Sequence, residues 1–195
     1  MRIGILTERF SRALLLAFEL HRFQRRKGSD IPYYAHLLEV TAIVLEDGGD
    51  EDQAIAALLH DAVEDQGGLP TLKRIRNEFG ERVAGIVEAC SDSTSIFKPS
   101  WKFRKEEYLR KLPSQPPEVL LVSLADKVHN ARTILVALQR QGDGFWERFN
   151  GGKAGTLWYY RELTQAYQGL VDPIRLGELK RLVEEIEKIA GPAGE

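Results

Sequence analysis

The chain has 195 residues, 43% hydrophobic and 29% charged, with a formal net charge of −2. That is enough chain for one compact domain, or at most two small ones, and it excludes a disulfide-stapled miniprotein and bulk disorder. Near-neutral charge gives no overall electrostatic drive toward nucleic acid or an anionic membrane, so any phosphate-binding site must be local. The single cysteine, Cys90, cannot form a disulfide within the chain, which fits a reducing compartment, and "GIVEAC" reads as the setting of a small buried residue. No apolar run approaches the ~20 residues of a transmembrane helix. Glu8, Arg9 and Glu19 break up what could otherwise pass for a signal peptide, so a cytoplasmic protein is expected.

Helical spacing recurs along nearly the whole chain, and alternation of the strand type is scarce. Phe10, Ala13, Leu14, Ala17 and Phe18 form a first stripe, and Leu37, Leu38, Thr41, Val44 and Leu45 a second, ended by Gly48 and Gly49. A third helix opens near Asp52 and runs through "QAIAALLHDAVED", apolar almost all round as a central helix should be. Gly67, Gly68 and Pro70 end it, Thr71 suits an N-cap, Gly80 punctuates, and "ERVAGIVEACSD" follows as an amphipathic helix. Residues 91–100 read as a loop. "WKFRKEEYLRKL" is helical up to Pro113, and Pro116 and Pro117 introduce a long helix that Gly142 and Gly144 interrupt. Two further helical patterns, "TLWYYRELTQAYQGL" and "IRLGELKRLVEEIEKIA", close the chain. The expectation is an all-α fold over 1–195, a single bundle of about nine or ten helices with the terminal helices packed on a core at about 20–140.

The chemistry concentrates in the most apolar helices. His60 and Asp61 follow directly on "AIAALL", where an unpaired carboxylate is costly and needs a compensating partner such as a cation. Glu64 falls one turn after His60, and Asp65 one turn after Asp61, which gathers four ionisable groups on one side of the helix. His36, in "YYAHLLEV", and Asp126, after "VLLVSLA", complete a set of two His and two Asp. Such a set without thiolate suits Mn²⁺, Fe²⁺, Zn²⁺ or Co²⁺ and leaves room for water. A lone histidine or aspartate of this kind is more often a bonded core residue or a cap; four together are harder to dismiss. His21, before a basic run, is expected to be solvated, and His129 to be turned away from Asp126.

His36, the His60–Asp61 doublet and the late Asp126 resemble the H…HD…D signature of the HD-domain metal-dependent phosphohydrolases. Within that superfamily, "ALLHDAVED", "RNEFGERVAGIVEACSD" and "LVSLADKVHNARTIL" are similar to the hydrolase domain of the RelA/SpoT homologues and its stand-alone small relatives, which include the metazoan SpoT homologue. The resemblance covers about residues 20–140. It implies one Mn²⁺ on His36, His60, Asp61 and Asp126, and removal of pyrophosphate from the 3′ position of (p)ppGpp, a small-molecule nucleotide. It also implies that Glu64 and Asp65 handle the attacking water, that Arg26 and Lys27 contact the guanine nucleotide, and that Asn130 and Thr133 lie on the nucleotide side. The segment holding Arg26 carries an apparent one-residue insertion relative to the family's pattern.

A divalent ion lowers the pKa of water from 15.7 toward ~7 and polarises a phosphoryl oxygen. Basic groups must neutralise the pyrophosphate, and the candidates are Lys98, Lys102, Arg104 and Lys105, with Lys98 and Arg104 ahead and Lys153 a distant third. Nothing resembles the synthetase, TGS or ACT regions of the long enzymes, so alarmone synthesis is not expected. Trp158, Tyr159 and Tyr160 read as core packing ahead of a nucleotide-facing wall. The alternatives are an HD hydrolase acting on another nucleotide or phosphoester, and a non-catalytic nucleotide-binding protein with a vestigial site. Neither nucleic acid nor membrane is expected as a partner, and a homo-oligomer is left open.

Overall fold

The computed structural model describes residues 6–91 and 99–191. Among them are ten α-helices and two 3-10 segments and no strand; the one extended pairing is an isolated antiparallel bridge between Arg25 and Pro32. The all-α expectation holds. The chain divides into two compact units, the first taking the described residues up to Ser91 together with Leu121–Ala125, the second taking Pro99–Leu120 and the described residues from Asp126 onward.

In the first unit, α1 (Glu8–His21) is capped by Thr7, whose hydroxyl accepts from Arg9 N. Its buried face is Ala13, Leu16, Ala17 and His21. The expected stripe is therefore rotated: Phe18 is exposed and stands edge-on to Tyr34, while the polar His21 occupies the core side. α2 (Tyr33–Glu46) likewise buries His36, Leu37, Val40, Thr41, Ile43 and Val44 and leaves Leu38 exposed. Thr41 is tolerated there because its hydroxyl donates to Leu37 O at 2.7 Å.

The turn after α2 needs its glycine. A Cβ on Gly49 would meet Val44 Cγ1 at 2.6 Å, a distance at which the backbone must move. Asp50 then caps α3 (Glu51–Leu59) through a reciprocal capping box with Gln53. Every residue from Ala54 to Leu59 is buried, and α3 packs against α1, α2 and α6 (Glu81–Cys90). Burying Ile55, Leu58 and Leu59 stabilises the unit by about 2 kcal/mol each.

The third helix is not continuous. It stops at Leu59, turns through His60 and Asp61, and resumes as a single turn, α4 (Ala62–Asp65). Asp65 N still bonds Asp61 O at 3.0 Å, so the one-turn relation expected for that pair survives the break. Thr71 is not an N-cap. Gly68 is, with Pro70 in the first turn of α5 (Leu69–Phe79), and the Thr71 hydroxyl donates back to Gln66 O. Gly80 separates α5 from α6, where Cys90 is half-buried rather than buried as expected.

The second unit begins with α7 (Trp101–Lys111), capped by Ser100, and a 3-10 turn over Leu112–Ser114. α8 (Pro117–Gln141) opens on two prolines and ends at Gly142, as the sequence predicts. A 3-10 segment, Gly142–Arg148, leads to α9 (Gly152–Ala166) and α10 (Pro173–Ala190), which pack on one another. The Trp101 indole comes close to the start of α9, where a Cβ on Gly151 would strike it at 2.6 Å. Tyr159 and Tyr160 are buried and Trp158 is half-buried. Trp101 stands edge-on to Trp158 and Tyr159, which is the packing role the spacing favoured.

Candidate metal centre

The apolar wall of α3 delivers His60 and Asp61 to a bend, where their side chains meet His36 from α2. His36 Nε2 and His60 Nε2 are 3.3 Å apart, and both rings are almost fully buried. Asp61 Oδ2 lies 3.0 Å from His60 Nε2 and 3.4 Å from His36 Nε2. His60 Nδ1 faces Ala57 O at 2.8 Å, so it carries the proton and leaves the Nε2 lone pair pointing into the cluster. Asp61 thus touches both imidazoles. Asp126 directly follows Ala125 in sequence and belongs to the second unit.

Buried nitrogen lone pairs converging on carboxylate oxygens, with no thiolate among them, fit a divalent ion of the Mn²⁺, Fe²⁺, Zn²⁺ or Co²⁺ type. The carboxylates are strongly conditioned by their neighbours. Burial pushes the Asp61 carboxyl up, but the imidazoles of His60 and His36, whenever they are protonated, outweigh it and hold the group well below the usual range. Asp65, at an exposed position, moves the other way, raised by desolvation from the groups around it and by the nearby charges of Asp61 and Glu64 against the donation of Gln24. Asp126 accepts from Lys127 Nζ at 2.6 Å and from Asn130 Nδ2 at 2.5 Å. Lys127 is itself half-buried; burial disfavours its charge, yet Asp126 holds the ammonium firmly protonated.

Glu64 is half-buried on α4, beside the Asp61 turn. Arg26 sits in the loop closed by the Arg25–Pro32 bridge, with its guanidinium 5.5 Å from the centre of the Tyr33 ring, and Lys27 is exposed at the tip. Asn130 is one turn beyond Asp126, and the Thr133 hydroxyl donates to Asn130 O at 2.8 Å. Arg104 is half-buried on α7, while Lys102 and Lys105 lie over the rings of Trp158 and Tyr159. Lys153 donates to Ala190 O and pairs with Asp143. Lys98 lies outside the described residues. His129 is buried in the second unit.

Three participants escaped the sequence reading. Tyr33 donates its hydroxyl to Asp61 Oδ2 at 2.5 Å, and burial together with the Asp61 charge raises its pKa far above that of a free phenol. Its position three residues before His36, on the same face of α2, was the available signal. His21 is buried, not solvated, and its ring stacks on Tyr33 at 5.3 Å. Gln24 bonds both His21 and Asp65, and nothing in the spacing announces it.

A family model described as "HD domain" matches residues 13–156, well over half of the chain. The chain belongs to the HD domain family. A guanosine-3′,5′-bis(diphosphate) 3′-pyrophosphohydrolase of Aquifex aeolicus is 39% identical over 132 residues, covering 66% of this chain and 18% of that protein. A GTP pyrophosphokinase rsh of Brucella melitensis is 39% identical over 127 residues, 64% of this chain and 16% of its own length. The chain thus spans less than a fifth of these curated relatives. Among solved structures, one described as a metazoan ortholog of SpoT that hydrolyzes ppGpp superposes with a TM-score of 0.72 at 26% identity, covering 96% of this chain and 98% of that one. A Listeria monocytogenes EGD-e protein superposes with a TM-score of 0.68 at 29% identity, covering 78% of this HD-domain chain and 99% of its own.

Proposed function

We propose that this chain is a metal-dependent phosphohydrolase that removes the 3′-pyrophosphate of guanosine alarmones, converting (p)ppGpp to GDP or GTP plus pyrophosphate. The observation that carries it is the meeting of the buried His36 and His60 imidazoles, 3.3 Å apart, with the Asp61 carboxylate at the helix break. The activities for which the Aquifex and metazoan relatives are named support the substrate class. His36, His60, Asp61 and Asp126 would hold the ion, Mn²⁺ in this reading. What it supplies when bound is Lewis acidity toward a phosphoryl oxygen and toward water.

The chain's own groups do the rest. The reaction consumes one water: its oxygen bonds to phosphorus, the bond from that phosphorus to the 3′ oxygen breaks, and a proton ends on the 3′ oxygen. Glu64 or Asp65 takes the proton from the water, and a carboxyl with a raised pKa, as at Asp65, is the better suited of the two to hold it. Arg26 and Lys27 contact the nucleotide from the bridged loop, Asn130 and Thr133 from α8, and Lys98 and Arg104 neutralise the pyrophosphate. The reading takes 1–195 as one phosphohydrolase domain in a cytoplasmic setting; no described helix is long and apolar enough to cross a membrane.

The test is pyrophosphate release by metal-stripped protein re-supplied with Mn²⁺ and offered ppGpp beside GTP, GDP, NADPH and a panel of nucleoside monophosphates. Mn²⁺-dependent formation of GDP and pyrophosphate from ppGpp is expected. Turnover of another compound alone would keep the metal site and remove the alarmone assignment, and no turnover of any would favour a binding protein.

A further inference from the structure

The end of α1 holds a polar network that the metal cluster does not use directly. Gln24 stands at its centre, with its amide 2.7 Å from His21 Nδ1, 2.6 Å from Gln66 Nε2 and 2.8 Å from Asp65 Oδ2. The amide has one orientation that satisfies all three. Turning it over would press Oε1 against the Asp65 carboxylate and present N–H groups to the amide nitrogen of Gln66, so Nε2 donates to Asp65 and Oε1 accepts from the other two.

That orientation fixes the tautomer of His21. Oε1 can only accept, so His21 carries its proton on Nδ1, and Nε2 is left as a bare lone pair. The ring is 1% exposed, and Nε2 has no hydrogen-bond partner among the described residues. A proton on Nε2 would therefore be an unsatisfied buried donor, which costs about 1–3 kcal/mol. The ring cannot swing to relieve the constraint, because one face stacks on Tyr33 with the planes 16° apart. Tyr33 in turn donates to Asp61. One buried imidazole thus braces two carboxylates of the same bend, Asp61 by way of Tyr33 and Asp65 by way of Gln24.

We infer that Gln24 is a positioning residue: its amide, held by His21 and Gln66, fixes the Asp65 carboxylate in the orientation the hydrolysis uses. The inference rests on the proposed function and on the proton-handling role given there to Asp65. It differs from a purely structural role in what it demands of the donor atom. Only Nε2 faces Asp65, so changing that atom alone must slow the reaction even if everything packed around Gln24 stays in place.

Two variants and one spectrum test it. Gln24→Met keeps the length and removes every hydrogen bond; Gln24→Glu keeps both acceptor contacts and replaces the donor facing Asp65 with an oxygen. Both are expected to lower kcat for ppGpp by about 10-fold or more, the cost of a misplaced catalytic group, with KM and Mn²⁺ affinity by calorimetry unchanged. Gln66→Leu, which spares the bond to Asp65, should lose less. Circular dichroism and melting identify any variant that fails to fold, and the Glu variant stands in if the Met variant does. Independently of turnover, the ¹⁵N spectrum of His21 in the metal-free protein should show the Nδ1–H tautomer, and Gln24→Met should release it. Full kcat in folded Gln24→Glu and Gln24→Met, or an Nε2–H tautomer in the unmutated protein, overturns this inference alone. An unmutated protein that turns over no ppGpp overturns the functional proposal and the positioning role with it, whatever the spectrum shows.

Discussion

Asp61 and Asp126 each follow an apolar run, yet the side chains around them compensate the two carboxylates by different means. Asp61 sits at a helix break and is met by two imidazoles and a phenol, groups that are neutral or only conditionally charged. Asp126 lies within an unbroken helix and is met by a permanent cation, Lys127, and by the amide of Asn130. A carboxylate paired with an ammonium is already balanced. One that faces imidazoles, with the His60 lone pair turned inward, is balanced only if a proton or a metal ion joins them. Asp61 therefore depends on a cation from outside, whereas Asp126 already has one beside it in Lys127.

Asp61→Ala gives the largest expected effect, because it removes the group both imidazoles face. Losing a partner of a metal ligand costs 10–100-fold, so losing a proposed ligand should cost on the order of 10²-fold or more in Mn²⁺ affinity, read by calorimetry, and abolish turnover with the helical circular dichroism intact. Retained turnover would remove Asp61 from the chemistry. Lys127→Met probes the other region by leaving Asp126 without its cation, and a stability loss of about 3 kcal/mol in urea titration is expected. A much smaller loss would mean that other partners of Asp126 already balance it.

Glu64→Gln should keep the metal and lower kcat by ~10²-fold; an unchanged rate would leave the proton to Asp65. Tyr33→Phe removes one donor to Asp61 and should weaken Mn²⁺ binding by about 10-fold, again by calorimetry. The smallest effect belongs to Glu178 on α10, partly buried but held below its ordinary 4.5 by hydrogen bonds from Arg132 and Arg175. A depressed carboxylate contributes stability that is present above 4.5 and lost as pH falls through its folded value. Glu178→Gln should therefore flatten the acid limb of the stability profile by no more than about 1 kcal/mol, with no change above pH 6 in how the protein's stability varies with pH.

The metal-capable residues were legible because an ionisable doublet after six buried residues violates the local pattern, and a violation of that kind shows in one dimension. Glycine and proline marked most helix ends correctly for the same reason. Which face of an amphipathic helix turns inward was less legible. Phe18 and Leu38 fit the apolar stripes but are exposed, since α1 and α2 bury His21 and His36 in their place. The partners of the site were least legible. Tyr33 lies 28 residues from Asp61, and Gln24 lies 41 from Asp65, and no periodicity links residues so far apart. The break inside "ALLHDAVED" was hidden too, because its residues keep helical spacing on both sides.

The wedge of Trp101 against Gly151 belongs to a wider asymmetry. All three tryptophans of the chain, Trp101, Trp146 and Trp158, fall in the second unit, and the first unit, which holds His36, His60 and Asp61, has none. Indole emission is therefore a built-in optical label for one unit only. A denaturation curve followed by tryptophan fluorescence reports the packing of α7 and α9, whereas ellipticity averages over every helix. If the two curves coincide, the units unfold as one cooperative body; if they separate, fluorescence is blind to the unit that holds His36, His60 and Asp61.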